Sequence, residues 1–352
     1  MRHDENAARI NRIILSDNSG IRAVLSKTDY GRAILDYLNP SSATERISWL
    51  SELVSSPVGA DVLDYVDRDA MHCGLEHRID SAIYRYFSIA NRPSQAPERR
   101  NLSARVFGRQ GLRLDAEFAI QSIFMERYAL FMKVYTHRVK TSASAMLGKA
   151  LQLVLGTKRG QLNENSIERM GDEELLTAIH STRSQQASRI IAALQNRRLF
   201  KPVFRAQALE ENQRTISGYE AKQVQWREAG LFDPQIRINK EEEIAKKAKV
   251  DPSDVVLYCT HNAPGAQKVR YYVDVASDGS RKLVADSDQF NQSMLRAHLA
   301  LWRVYAFCNP ELADEKKEQI ASSAQYIFGC VNEIKNIASR PALPLFGGGA
   351  RR

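Results

Sequence analysis

The chain has 352 residues, 43% of them hydrophobic and 26% charged, a composition that suits a globular protein of two domains or one domain with a long extension. Its 50 Lys and Arg against 41 Asp and Glu leave a net charge of +9, which suits nucleic acid, nucleotide phosphates or an acidic protein partner without choosing among them. There is no apolar run of about 18 residues, so no membrane-spanning helix is expected, and the opening "MRHDENAARI" lacks the apolar core of a secretory leader.

Taken in chain order, the sequence predicts helices up to about Gln195. "ARINRIILSD" and "GRAILDYL" are short amphipathic stretches, and "SATERISWLSELVSS" starts like a capped helix. "SSPVGADVLDYVDRDAMHCGL" follows as a helix, with Gly74 as its stop. "NRPSQAPERRN" reads as a turn or loop. A long helical pattern from Asp115 to Leu155 allows a break near Thr141–Ser144, and "DEELLTAIHSTRSQQASRIIAALQNR" is a further helix or helix pair. The character then shifts. "RRLFKPVFRAQA" places β-branched and aromatic residues around a proline, the pattern of an edge strand. "INKEEEIAKKAKV" is a charged helix. "DVVLYCTH" and "KVRYYVDVAS" read as strands joined through "NAPGAQ", and "DGSRKLVAD" continues the meander through a turn at Asp278–Gly279. "NQSMLRAHLALWRVYAFC" and "DEKKEQIASSAQYIFGCVNEIKNIA" are expected to close the chain as helices. The domain boundaries follow: a helical domain over 1–195, an α+β lobe over 196–340, and a disordered tail over 341–352.

Aspartate is a poor helix former, because its short side chain competes for nearby backbone groups. Yet Asp61, Asp64, Asp67 and Asp69 crowd one predicted helix. On a helix Asp61, Tyr65, Arg68 or Asp69, and His72 recur along one face, while Leu63, Val66 and Ala70 lie elsewhere and can pack. A first-turn carboxylate is favoured by the helix dipole and can also ligate a metal. The competing reading of this face is a solvated surface with a capping aspartate. Asp67, on another face, is expected to be solvated.

The long helix offers a second face, along which Ile120, Phe124, Arg127, Phe131, Tyr135 and Arg138 follow at three- and four-residue steps. A guanidinium in such an apolar stripe needs an anion, either a phosphate or a carboxylate from the aspartate helix. The basic stretch "PERRNLSARVFGRQGLRLD" could meet phosphates of a nucleotide or a nucleic acid, or could be a solvated loop face. Several chemistries lack their signatures. "GTKRGQL" is not a phosphate-binding P-loop, and G-x-S-x-G, H-E-x-x-H and C-x-x-C are absent. The scattered Cys73, Cys259, Cys308 and Cys330 favour reduced thiols and a cytoplasmic address over disulfides or structural zinc.

"DVLDYVDRDAMHCGL", followed by "ERYALFMKVYTHRV", resembles the HD-superfamily phosphohydrolases, and within them the deoxynucleoside triphosphate triphosphohydrolases. The first segment matches through Asp61, Asp64, Tyr65, Arg68, Asp69 and Gly74, the second through Arg127, Leu130, Tyr135 and His137. "NRRLFKPVFRA" is similar to the family's strand entering its C-terminal lobe. The resemblance implies a mainly α fold, an HD-domain-like helical bundle followed by a smaller α+β C-terminal lobe.

It also implies roles. Asp61 would be the last ligand of a divalent metal ion, whether Mg, Mn, Fe or Zn. Tyr65 and Arg127 would contact substrate phosphates. Asp69 and Tyr135 would sit by the deoxyribose, and His3 would face the phosphate and protonate the leaving group. The family's first histidine ligand and its central His-Asp pair would lie upstream of His3. The resemblance therefore points to the downstream part of such an enzyme, with those ligands supplied upstream or by a partner subunit, and to a homo-oligomer. Three functions remain open on the sequence: a nucleotide hydrolase releasing triphosphate from deoxynucleoside triphosphates, a catalytically inactive nucleotide-sensing subunit, and a nucleic-acid-binding protein.

Overall fold

The computed structural model describes residues 19–29, 31, 53–54, 56–76, 79–91, 100–108, 111–155, 162–182, 184–207, 231, 233–260, 271–274, 281–284, 289–299, 301, 303–335 and 337. The helices expected over 8–17 and most of 31–38 and 42–56, the turn at Asp278–Gly279 and the tail 341–352 lie outside them. The fold is mainly helical, with an α+β lobe. The chain forms two compact units, 1–131 with 264–295 and 132–263 with 296–352, each drawing on both sides of residue 195.

The first unit holds helices α1 (Ser19–Leu25), α2 (Ala60–His72) and α3 (Leu114–Leu130), with a 3-10 turn at Ser81–Tyr86. Helix α2 ends where the sequence predicts. Gly74 takes a left-handed φ of +68°, a conformation glycine adopts without Cβ strain, and Leu75 N donates to Ala70 O at 2.9 Å. Val62, Leu63, Val66 and Ala70 form its buried stripe. They pack in a core with Ala116, Ala119, Ile120, Ile123 and Phe124 of α3.

Most of the loop expected over 91–101 lies outside the described residues, and the rest of the segment between these helices, beyond the 3-10 turn, is extended. It forms strands β1 (Phe87–Asn91) and β2 (Arg100–Ala104) and a small hairpin of β3 (Phe107–Gly108) and β4 (Gly111–Leu112). The arginine-rich composition masked the alternation that buries Leu102, Ala104 and Val106. Strands β7 (Tyr271–Asp274) and β8 (Arg281–Val284) complete a four-stranded sheet in the order β1-β2-β7-β8, with β2 and β7 parallel and the outer pairs antiparallel.

The second unit holds α4 (Arg138–Leu155), α5 (Glu164–Ile167), α6 (Asp172–His180), α7 (Gln185–Gln195), α8 (Pro234–Ala248) and α10 (Asp314–Phe328). Its antiparallel sheet has the order β5-β9-β6, from β5 (Lys201–Gln207), β6 (Val255–Cys259) and β9 (Arg303–Cys308). Strand β5 is an edge strand with an irregularity after Pro202, as its proline requires. Strand β9 replaces the second half of an expected helix; only Gln289–Leu299 (α9) is helical. Nor does β6 pair with β7, because β9 takes its place beside β6. On one sheet face Val256, Tyr305 and Phe307 join Met146, Ala150, Ile179, Ile190 and Ile191 in the core. Phe204 stacks on Phe328 of α10, ring centroids 5.6 Å apart.

A buried ion pair ties this unit together. Lys149 of α4 donates to Glu241 of α8, and Glu241 Oε1 also accepts from Leu257 N of β6 at 2.9 Å. Burial raises the Glu241 carboxyl above the ordinary range, and the adjacent Lys149 opposes that rise. Asp233 caps α8 by accepting from Gln235 N and Ile236 N, with Pro234 at the first helical position.

No described helix is long and apolar enough to cross a membrane. None of the four cysteines forms a disulfide.

Candidate functional site

Helix α2 presents Asp61, Tyr65 and Asp69 at four-residue steps, along the edge of its buried stripe. Asp61 is exposed in the first turn, where the unpaired backbone N–H groups favour a carboxylate. Tyr65 and Asp69 are half-buried. Arg127, in the last turn of α3, is brought to this face and hydrogen-bonds the Tyr65 hydroxyl. The same hydroxyl feels the negative fields of Asp61 and Asp69. Its pKa is raised, first by burial; the Arg127 guanidinium opposes the rise and the two carboxylates add to it.

Arg127 lies over the Phe131 ring, 5.8 Å from guanidinium carbon to ring centroid. Its Nε is buried without a hydrogen-bond partner. Among the described residues it forms no ion pair with a carboxylate, so a structural pairing with the aspartate helix does not occur there. Phe131, one turn beyond Arg127, is a contact the sequence stripe already contained.

The remaining aspartates are structural. Asp64 pairs with Arg68 at 2.7 Å on the surface, one helical turn apart. Asp67 corrects its expected solvation: its Oδ1 accepts from Ile79 N at 2.8 Å, tying the chain beyond Gly74 back to α2. A cleft lined by Leu63, Asp64, Asp67, Arg68, Met71 and Tyr84 opens on another face of α2, and includes none of Asp61, Tyr65 and Asp69.

Tyr135 lies on a five-residue π-helical segment, Phe131–Tyr135, which breaks the long helix earlier than the expected Thr141–Ser144. It is half-buried and belongs to the second unit. His3 lies outside the described residues.

A metal site needs about three protein ligands. No group of three His, Cys, Asp or Glu that could hold a metal ion occurs among the described residues. The described donors therefore do not by themselves fit the divalent ion that the resemblance implies.

No curated protein matches the chain. It is similar to the crystal structure of a phosphohydrolase from Bacteroides thetaiotaomicron, with 17% identity and a TM-score of 0.49, over 85% of this chain and 70% of that one. Residues 115–334 match the model of the HD-associated region, the segment that accompanies HD domains. That match takes in α3 with Arg127 and most of the second unit, more than half of the sequence. The chain belongs to the HD-associated region family, and through it is related to the HD superfamily.

Proposed function

We propose that the chain is part of an HD-superfamily phosphohydrolase, and that its substrate is a deoxynucleoside triphosphate cleaved to deoxynucleoside and triphosphate. The family membership supports the general class. The observation that carries the substrate reading is the meeting of Tyr65 and Arg127 beside Asp61 and Asp69. A guanidinium with a buried unpartnered Nε and no paired carboxylate suits a phosphate oxygen. The Tyr65 hydroxyl is assigned to donate to a second oxygen. Asp69, two turns along α2 from Asp61, is assigned to accept from a sugar hydroxyl, and Tyr135 is assigned to exclude a 2′-hydroxyl. Asp61 is the one metal ligand assigned to this helix, with the others upstream or on a partner subunit. His3 is assigned to the leaving group. A homo-oligomer belongs to the same proposal.

The test is release of triphosphate and deoxynucleoside from each of the four deoxynucleoside triphosphates, followed by chromatography, with substrate binding measured in parallel. Arg127→Gln should lower kcat/KM by about 100-fold and Tyr65→Phe by about 10-fold, as losses of charge-stabilising donors. Asp61→Ala should abolish turnover, while Asp64→Ala should leave it unchanged. Unaltered turnover in Arg127→Gln would reject the phosphate role. Binding of the nucleotide without turnover by the wild type would favour the nucleotide-sensing reading.

A further inference from the structure

In the second unit, two arginines converge on a single carboxylate. Strands β5 and β9 pair antiparallel with Arg205 opposite Tyr305 and Gln207 opposite Arg303. Arg205, Arg303 and Tyr305 therefore gather at one end of the sheet. Glu333, on the segment after α10, places Oε2 at 2.6 Å from Arg205 Nε and 3.7 Å from Arg303 Nε. Neither Nε has an aligned hydrogen-bond acceptor, although both are buried. These contacts are thus charge contacts rather than well-directed bonds. The positive charges of Arg303 and Arg205 both act on the Tyr305 hydroxyl.

The arginines stand on fixed backbone. Arg303 N donates to Thr260 Oγ1 at 2.7 Å, and Arg303 O accepts from Thr260 N at 2.9 Å. Arg205 N donates to Asn332 Oδ1 at 3.0 Å, and Arg205 O accepts from Glu333 N at 2.9 Å. Both guanidiniums are only partly covered, with 39% of the Arg205 and 23% of the Arg303 side chain exposed. Among the described residues no second carboxylate pairs with either of them. Among the described residues the cluster keeps one positive charge in excess at a half-buried place.

We propose that Arg205, Arg303 and Tyr305 form a second anion site, for the phosphates of a polyphosphate-bearing ligand, in which the Glu333 carboxylate is a built-in competitor. Tetrahedral phosphate has enough oxygens to bridge two guanidinium forks, which a single carboxylate fails to satisfy here. The site uses none of the residues of the α2–α3 face and does not depend on the function proposed for it.

The test is calorimetric titration of the full chain in an Arg127→Gln background, which disables the other phosphate face. Inorganic triphosphate and deoxyadenosine triphosphate are the two probes. Binding should persist in that background and weaken with added salt. Glu333→Gln keeps the backbone bond to Arg205 and removes the competing charge, so it should tighten binding by roughly tenfold. Arg205→Gln and Arg303→Gln should each weaken it by at least roughly tenfold, with thermal melts confirming that they fold. The tighter probe identifies whether free polyphosphate or a nucleotide is the source of the phosphates. Unchanged or weaker binding in Glu333→Gln, or no binding in either the Arg127→Gln or the Arg127→Gln/Glu333→Gln protein, would overturn the proposal. Neither result bears on whether Arg127→Gln lowers nucleotide hydrolysis.

Discussion

Asp67 and Asp69 stand two residues apart on α2 and do unrelated work. Asp67 receives the Ile79 amide, so Asp67→Ala should destabilise the protein by about 1–3 kcal/mol, since it leaves a part-buried donor unpaired. Urea denaturation measures this, and nucleotide affinity in the folded protein should not change. Its partner lies twelve positions on, past the end of the helix, and no helical periodicity points there. The grouping of Asp61, Tyr65 and Asp69, by contrast, was legible, because four-residue spacing alone puts them on one face. For Arg127 the sequence pointed to an anion, a phosphate or a carboxylate; that a tyrosine hydroxyl meets it depends on how α2 and α3 pack. Tyr65 carries a pH signature. Its folded-state pKa lies above the ordinary value, so the stability it lends is fully present below about pH 10 and is lost as pH rises through the folded value. Thermal melts between about pH 9 and 11 should show a shallower alkaline loss of stability in Tyr65→Phe than in the wild type.

At the level of elements, strand β5 announced itself through Pro202, and α2 through Gly74. Strand β9 did not, because "RVYAFC" follows a helix with no glycine or proline between them, and its β-branched and aromatic residues also suit a buried helix. The break in the long helix was misplaced for a related reason. Thr141 and Ser142 look like loop residues, yet both are buried inside α4 with their hydroxyls satisfied. Thr141 Oγ1 donates to Arg138 O at 3.0 Å, and Ser142 Oγ donates to Phe200 O at 2.8 Å. The Lys149–Glu241 pair makes α4, α8 and β6 interdependent. Lys149→Met strands a buried carboxylate and should cost about 3–5 kcal/mol in urea denaturation. Adding Glu241→Gln, which still accepts from Leu257 N, should recover much of that loss.

Across the whole molecule, neither compact unit is a continuous stretch of chain. The first takes back residues 264–295 after the second has begun, and so owes half of its main sheet to β7 and β8. A protein ending at Ala263 should retain α2 and α3 but leave the β2 edge unpaired, and hydrogen exchange should show β2 amides losing protection relative to the full chain. Sequence reading sorted helices from strands over much of the chain. It could not see this interleaving, because parallel pairing of Ser103 with Tyr272 leaves no local mark. That pairing has a consequence for the order of events during synthesis. Strand β2 leaves the ribosome long before its partner, and closing so large a loop is a slow step. Until β7 arrives, the nascent first unit carries an open strand edge, and the growing chain is at its most aggregation-prone while the second unit is still being made.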